Sequence, residues 1–477
     1  MKKKCKMKGK YLALALSLSC IITPQLSYAS EVDNTTMASN NGSFINLDWT
    51  KLSWDNLDWN ELNYGIYWYG IGNKPYKFIP NETNPAFDPS KPTIIYIHGW
   101  QPNYSLIKHR ESFYFYGENA ADSWIKAGWN VGVFYWNQFS DELSVEDAES
   151  KIWSPTARNS MRWRKSDGSY DVSSSIKKSS ADLLYEEYVK ALSGYKGSSI
   201  RIVGHSLGSQ MAIRLTKLIS DNVDSGAIPP ELLPSRVALL DPYFSNLGKE
   251  YLNYRWTGEV ARECVSSFIN NKNIPFELYK SSALTSGLAG DDNDELKKMC
   301  AYTELKPLFH APIQQVEKHY DGKYTYFCSY RVSSPAEYVG TTPTGNVAAS
   351  ARTDTQRIAE MMGKKYYWTQ AADIFTEDVS DDTFSRSTRN ISVSPVTGLN
   401  LNTYNANVKV GEYISLIPTI APDNATNKIV LWQSYDDKVA KVCVNGQVKG
   451  ENPGMVKIIC NTADGKLQKV CNVNVIE

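Results

Sequence analysis

Residues 199–215 read SIRIVGHSLGSQMAIRL, and the way this stretch folds decides how the rest of the chain is read. Ser199 to Val203 form a strand-like run, GHSLG follows, and from Leu207 to Ile219 the residues Met211, Leu215 and Leu218 fall on one face of a predicted helix. A strand, a tight turn and a helix put Ser206 at the turn. Gly204 and Gly208 have no Cβ, so the chain can bend sharply there and leave the serine hydroxyl exposed. The backbone N–H of Leu207 then points toward the same space. G-x-S-x-G alone is weak, because it also arises in ordinary loops; within strand–turn–helix it marks Ser206 as a nucleophile.

Working outward, residues 91–390 alternate strand-like and helix-like segments. Strands are expected at Thr93–Ile97, Asn130–Trp136, Ser199–Val203, Arg236–Leu240 and Ile274–Tyr279, and helices at Ser179–Leu192 and Leu207–Ile219. Continuous apolar runs suit strands buried on both faces, so the expectation is α/β: a mostly parallel sheet with helices on both faces. Residues 391–477 change to short alternating strands and turns. The elements VGE, PDNATNK, Trp432, VAKV, NGQVKG and VNV resemble the Ig-like modules of bacterial surface and secreted proteins, which implies an all-β sandwich acting as spacer or adhesive.

A serine hydroxyl is protonated at neutral pH, so a nucleophilic Ser206 needs a base, a carboxylate to orient it, and donors for the charge on the substrate oxygen. In this fold the chain order is Ser, acid, His. Asp241, in SRVALLDPYFSN, ends an apolar strand and can orient an imidazole; read otherwise, Asp-Pro opens a turn. The rival acids are Asp291, Asp292 and Asp294 in GDDNDELKK. That run does not complete a calcium loop, since Leu296 stands at the turn glycine and Tyr302 at the last glutamate. No metal is expected. Two histidines follow Asp241, His310 and His319, whereas His98 and His109 precede the pattern.

HGW at 98–100, GHSLG, LDP and the stretch EKHYDGKYTYFCSY, in this order, resemble the lipase family of α/β-hydrolases, the pancreatic-type lipases and A-type phospholipases. The resemblance implies hydrolysis of carboxylic esters through an acyl-serine, with no cofactor. It implies His319 as the base, because aromatics trail it in EKHYDGKYTYFCSY, and Trp100 N–H beside Leu207 N–H as the oxyanion hole. Relatives often carry a lid between acid and histidine, and Cys264 and Cys300 bracket that interval, where a disulfide could close it. The stretch after Asp241, YFSNLGKEYLNYRW, departs from the vertebrate calcium-site pattern.

The first 29 residues hold six lysines and no acid, then an apolar run and Ser27-Tyr28-Ala29, the layout of a secretory signal peptide. Export permits disulfides among the remaining six cysteines. Without that segment the chain has 45 basic against 51 acidic residues. That balance offers no footprint for nucleic acid. Residues 30–90 form an aromatic-rich arm whose four pentads, Ile45 to Tyr64, carry Trp49, Trp54 and Trp59; the arm packs on the main domain or meets lipid or glycan. The substrate expected is a lipid, triacylglycerol or phospholipid. Alternatives are a polyester or acylated glycan, or a non-catalytic adhesin with cell-surface or glycan contact through the Ig-like module.

Overall fold

The computed structural model describes residues 57–172, 176–287, 289–363, 365–372 and 374–477. The signal peptide and the pentads before Leu57 lie outside the described residues. The organising element is a twelve-stranded sheet. Its strands are β1 (Gly65–Gly70), β2 (Lys74–Lys77), β3 (Thr93–Ile97), β4 (Asn130–Tyr135), β5 (Ile200–His205), β6 (Arg236–Leu240), β7 (Phe276–Lys280), β8 (Ala301–Glu304), β9 (Ala336–Val339), β10 (Thr342–Val347), β11 (Tyr366–Ala372) and β12 (Thr383–Thr388). Their order across the sheet is β10-β9-β12-β11-β8-β7-β6-β5-β3-β4-β1-β2.

From β4 through β11 every neighbouring pair is parallel, so these strands all end at one edge of the sheet. β3, β4, β5 and β6 are buried at every position, as strands covered on both faces require. The helices used below are α1 (Ala120–Lys126), α2 (Val145–Trp153), α3 (Ser180–Ala191), α4 (Gly208–Asp224), α5 (Thr257–Lys272) and α6 (Gln315–Cys328). α3 begins at a reciprocal cap between Ser179 and Asp182. On α4, Met211 and Leu215 are fully buried while Leu218 packs at the margin of the core.

The described part of the arm is no appendage. β1 pairs antiparallel with β4, and β2 with β1, extending the sheet. Trp68 fills the space over Gly132, where any Cβ would sit 2.8 Å from its ring. Among the pentad residues, Trp59 is buried and lies near the Arg110 guanidinium.

Residues 398–476 form short strands in two-, three- and four-stranded sheets around a core of their own, including Val430, Val448, Ile458 and Val473. This module is also docked. Ile429 and Ala463 are buried within the apolar cluster of the large domain. Asn427 donates to the carbonyls of Ala359 (2.7 Å) and Met362 (3.2 Å), and Val430 N–H donates to Asn273 Oδ1 (3.3 Å). Asn273 precedes β7, and Ala359 and Met362 precede β11. The module therefore seats against the edge where the parallel strands begin. The sequence read this segment as a spacer or adhesive module; in the structure it packs on the large domain through Ile429 and Ala463.

Candidate active site

Ser206 follows β5 with φ +56, a left-handed conformation that costs a non-glycine residue on the order of 1–3 kcal/mol. It is the one partly exposed residue in the otherwise buried run 200–213. Close packing explains the glycines. A Cβ on Gly208 would stand 2.1 Å from the Ile97 carbonyl oxygen, and one on Gly204 would strike Gly208. A third glycine, Gly99, lets the segment after β3 lie directly against the serine, since its Cβ would come within 2.6 Å of Ser206 Cβ and 3.1 Å of Oγ.

The serine backbone is braced on both sides of Asp241: Ser206 N–H donates to Leu240 O (3.0 Å), and Tyr243 N–H donates to Ser206 O (3.3 Å). Asp241 itself has φ +39 and is fully buried. Its Oδ2 accepts from His319 Nδ1 at 2.7 Å and from the Ser282 hydroxyl. Lys280 Nζ lies 3.1 Å from Oδ1, with Thr285 Oγ1 at 3.3 Å. Burial pushes the Asp241 carboxyl up, but Lys280, the bond from His319 and that from Ser282 outweigh it and hold it well below the usual range.

His319 lies in α6 and is nearly buried. With Nδ1 engaged by Asp241, its Nε2 has no protein partner among the described residues. His205, next to the serine, stacks on it with ring centroids 4.4 Å apart and pairs through Nε2 with His319 O at 2.9 Å. Burial first, then the neighbouring His319, drives the His205 imidazole well below its ordinary pKa, so it is neutral and donates this bond.

Sequence reasoning selected Ser206, Asp241 and His319, and the fold brings their surroundings together at the edge where the parallel strands end. Among the described residues, the amides of Trp100 and Leu207 have no backbone acceptor. His98 is buried, accepts the Trp136 N–H at Nε2 (3.1 Å), and is held down to about 4 by burial. The rival Asp291 pairs with Arg262 at 3.3 Å instead. Lys280, Ser282 and Thr285 were not anticipated; the clue was that they stand at the end of the strand after Asp241 or just past it.

The expected Cys264–Cys300 disulfide does not form: both thiols are free. Cys264 on α5 lies near Lys217 and Arg214, whereas Cys300 is buried near Arg389 and Glu277, so the two occupy different surroundings. Among the described residues, no group of three His, Cys, Asp or Glu side chains could hold a metal ion.

Comparison with known proteins matches residues 395–473 to the bacterial Ig-like domain (group 2) family. This segment is similar to an Ig-like virion protein of Serratia phage KSP90, 44% identical over 85 residues, covering 18% of this chain and 33% of that protein. It is also similar to a 3-O-alpha-D-galactosyl-alpha-L-arabinofuranosidase of Bifidobacterium longum subsp. longum, 40% identical over 15% of this chain and 6% of that one. The chain thus spans a third or less of either relative. Among solved structures, an esterase of Pyrococcus furiosus aligns over 49% of this chain and 68% of its own, at 14% identity and TM-score 0.19. The S-layer protein SbsC aligns over 20% of this chain and 15% of its own, at 17% identity and TM-score 0.16. Among the described residues, no helix is long and apolar enough to cross a membrane.

Proposed function

We propose that the chain is an exported serine hydrolase of the α/β-hydrolase type that cleaves carboxylic esters, with Ser206 as nucleophile, His319 as base and Asp241 as orienting acid. The observation that carries this reading is the strained Ser206 next to His205, whose ring stacks on His319, together with the buried, hydrogen-bonded His319–Asp241 pair. His319 Nε2 takes the hydroxyl proton as Oγ attacks the ester carbonyl, while Asp241 steadies the imidazolium that results. The amides of Leu207 and Trp100 receive the negative oxygen of the tetrahedral intermediate. The base returns its proton to the leaving alcohol, and water then releases the acid from the acyl-serine by the same steps in reverse.

A lipid ester is the favoured substrate because large apolar side chains crowd the loops that follow the parallel strands. Ile107, Leu143, Leu247, Tyr254, Ile313 and Phe375 all stand there, from 56% to 89% exposed. An apolar rim of this kind suits an aggregated, poorly soluble substrate. The Ig-like module, on the opposite edge, is read as the part that meets a cell surface or glycan. Its likeness to part of an Ig-like virion protein supports this reading.

The test is a p-nitrophenyl ester series of rising chain length, measured on the wild type and on Ser206→Ala, with fluorophosphonate labelling. The expected result is labelling at Ser206, preference for long chains, and loss of about 10⁴-fold or more of kcat in the variant. Equal turnover by both proteins removes the serine mechanism. Activity absent from both leaves an adhesin, and preference for the shortest ester points to a soluble acyl substrate.

A further inference from the structure

Segment 98–105 carries the Trp100 amide, and it is tied at both ends to the single turn 136–142 that follows β4. At the near end, the Trp136 ring stacks on His98 with centroids 5.7 Å apart, and its indole N–H donates to His98 O at 2.8 Å. At the far end, the fully buried Asp141 carboxylate accepts the amide N–H of Asn103 on Oδ1 (2.6 Å) and that of Ser105 on Oδ2 (2.8 Å). Between them, Trp100 Nε1 donates to Glu142 O at 2.7 Å. None of these bonds consumes the Trp100 amide.

The chemistry of the far clamp is specific. Asn103 sits at φ +68, a left-handed position that asparagine tolerates, and this turn brings two amides toward one point. Here each of the two converging donors meets its own oxygen. A carboxylate supplies both and binds each about twice as strongly as a neutral group would. Its charge is met by Arg164, whose Nη1 lies 2.9 Å from Asp141 Oδ1 and 3.0 Å from Asn103 Oδ1. The adjoining Glu142 is anchored in turn by Lys151 at 2.7 Å and by both arms of Arg162. The turn that receives the loop is therefore itself fixed by two buried charge pairs.

We propose that Asp141 is a positioning residue for the oxyanion hole: it fixes the Trp100 N–H through the Asn103 and Ser105 amides without touching substrate. The inference rests on the serine-hydrolase reading above. A donor stabilises the developing oxyanion only if it is already in place when the charge appears, so loosening the loop raises the barrier and leaves ground-state binding alone.

Asp141→Asn keeps the shape but turns an NH2 group toward one of the donors. The expected outcome is a fall in kcat of about 10- to 100-fold with KM changed by less than about twofold, below the full loss of an oxyanion donor. Rates are counted per site that fluorophosphonate labels at end point. Trp100→Phe removes the indole bond to Glu142 and keeps an aromatic side chain of smaller size, so it should lower kcat about fivefold or more by the same route, and it carries the test if Asp141→Asn does not fold. Asn427→Ala, at the Ig-like interface, is the comparison for plain destabilisation: a lower Tm with kcat per labelled site unchanged. A kcat within about twofold of wild type in both loop variants, or a loss residing in KM, overturns the role of Asp141. If Ser206→Ala is inactive in that same experiment, the hydrolase reading still stands. A wild type that neither labels nor turns over an ester removes both.

Discussion

α6 and the residues just before it hold two histidines, and each stands beside an aspartate. His319 meets Asp241 at 2.7 Å, and His310 Nε2 meets Asp321 Oδ2 at 2.9 Å. The first contact is a formed hydrogen bond; in the second, Asp321 Oδ2 has no aligned partner, although its other oxygen accepts the Tyr116 hydroxyl. Both carboxylates are buried, yet they are driven in opposite directions. Asp241 has Lys280 and two hydroxyls around it and stays charged. Asp321 is pushed up to about 7, chiefly by burial, with Glu377 and Glu317 adding to the rise while Tyr116 and Lys318 oppose it. Burial likewise lowers His310 from its ordinary value. The contrast teaches that an imidazole near a carboxylate is not yet a catalytic pair: the neighbours of the carboxylate decide whether it can steady a cation.

The sharpest way to break this comparison is to neutralise each acid. Asp241→Asn should cost on the order of 10³–10⁴ in kcat for a p-nitrophenyl ester, and Asp321→Asn less than about threefold. Equal losses would mean that the second pair belongs to the chemistry.

Next in size is Lys280→Met, which leaves the Asp241 charge buried without its cation; kcat should fall about tenfold and Tm should drop. The same change should not affect stability around Asp321.

A smaller effect is read in stability. A carboxyl whose folded value lies above its unfolded one binds protons more tightly in the native state, so its contribution is greatest at low pH and is lost as pH rises toward 7. Thermal melts of Asp321→Asn against wild type should therefore favour the variant increasingly between pH 5 and pH 8, by on the order of a few degrees. A constant difference would contradict the buried, proton-binding state of Asp321. Smallest of all is His310→Gln, for which ester turnover at neutral pH should stay within about twofold of wild type.

The turn at Ser206 was legible because its determinants are local. An apolar strand, two glycines and a helical apolar stripe occupy seventeen consecutive residues, and each constrains its near neighbours. Asp241 was legible as the polar end of a buried strand. Choosing His319 over His310 needed a likeness in the trailing aromatics, because both follow the acid and nothing local separates them. Lys280 and Ser282 were hidden: they meet Asp241 only because β6 and β7 lie side by side in parallel register. The Asp141 clamp was hidden for the same reason, since it joins loops that follow β3 and β4.

The docking of the Ig-like module shows the same limit at larger scale. Its strands and turns are written in alternation and turn residues, so the segment could be recognised from its pattern. That Ile429 would complete the core of the other domain could not, because an apolar residue in such a module also suits its own interior.

By itself the sequence determined the strand–turn–helix that strains Ser206, the class of sheet around it, and the β-rich character of the last segment. These follow from periodicity and from glycine geometry, which act over a few residues. Only the tertiary structure decided which carboxylate keeps its charge, which histidine it orients, what holds the loop opposite the serine, and that two free thiols stand where a bridge was expected. Those outcomes depend on burial and on distances between groups far apart in the chain, and electrostatic interactions change with both far more steeply than local propensity does.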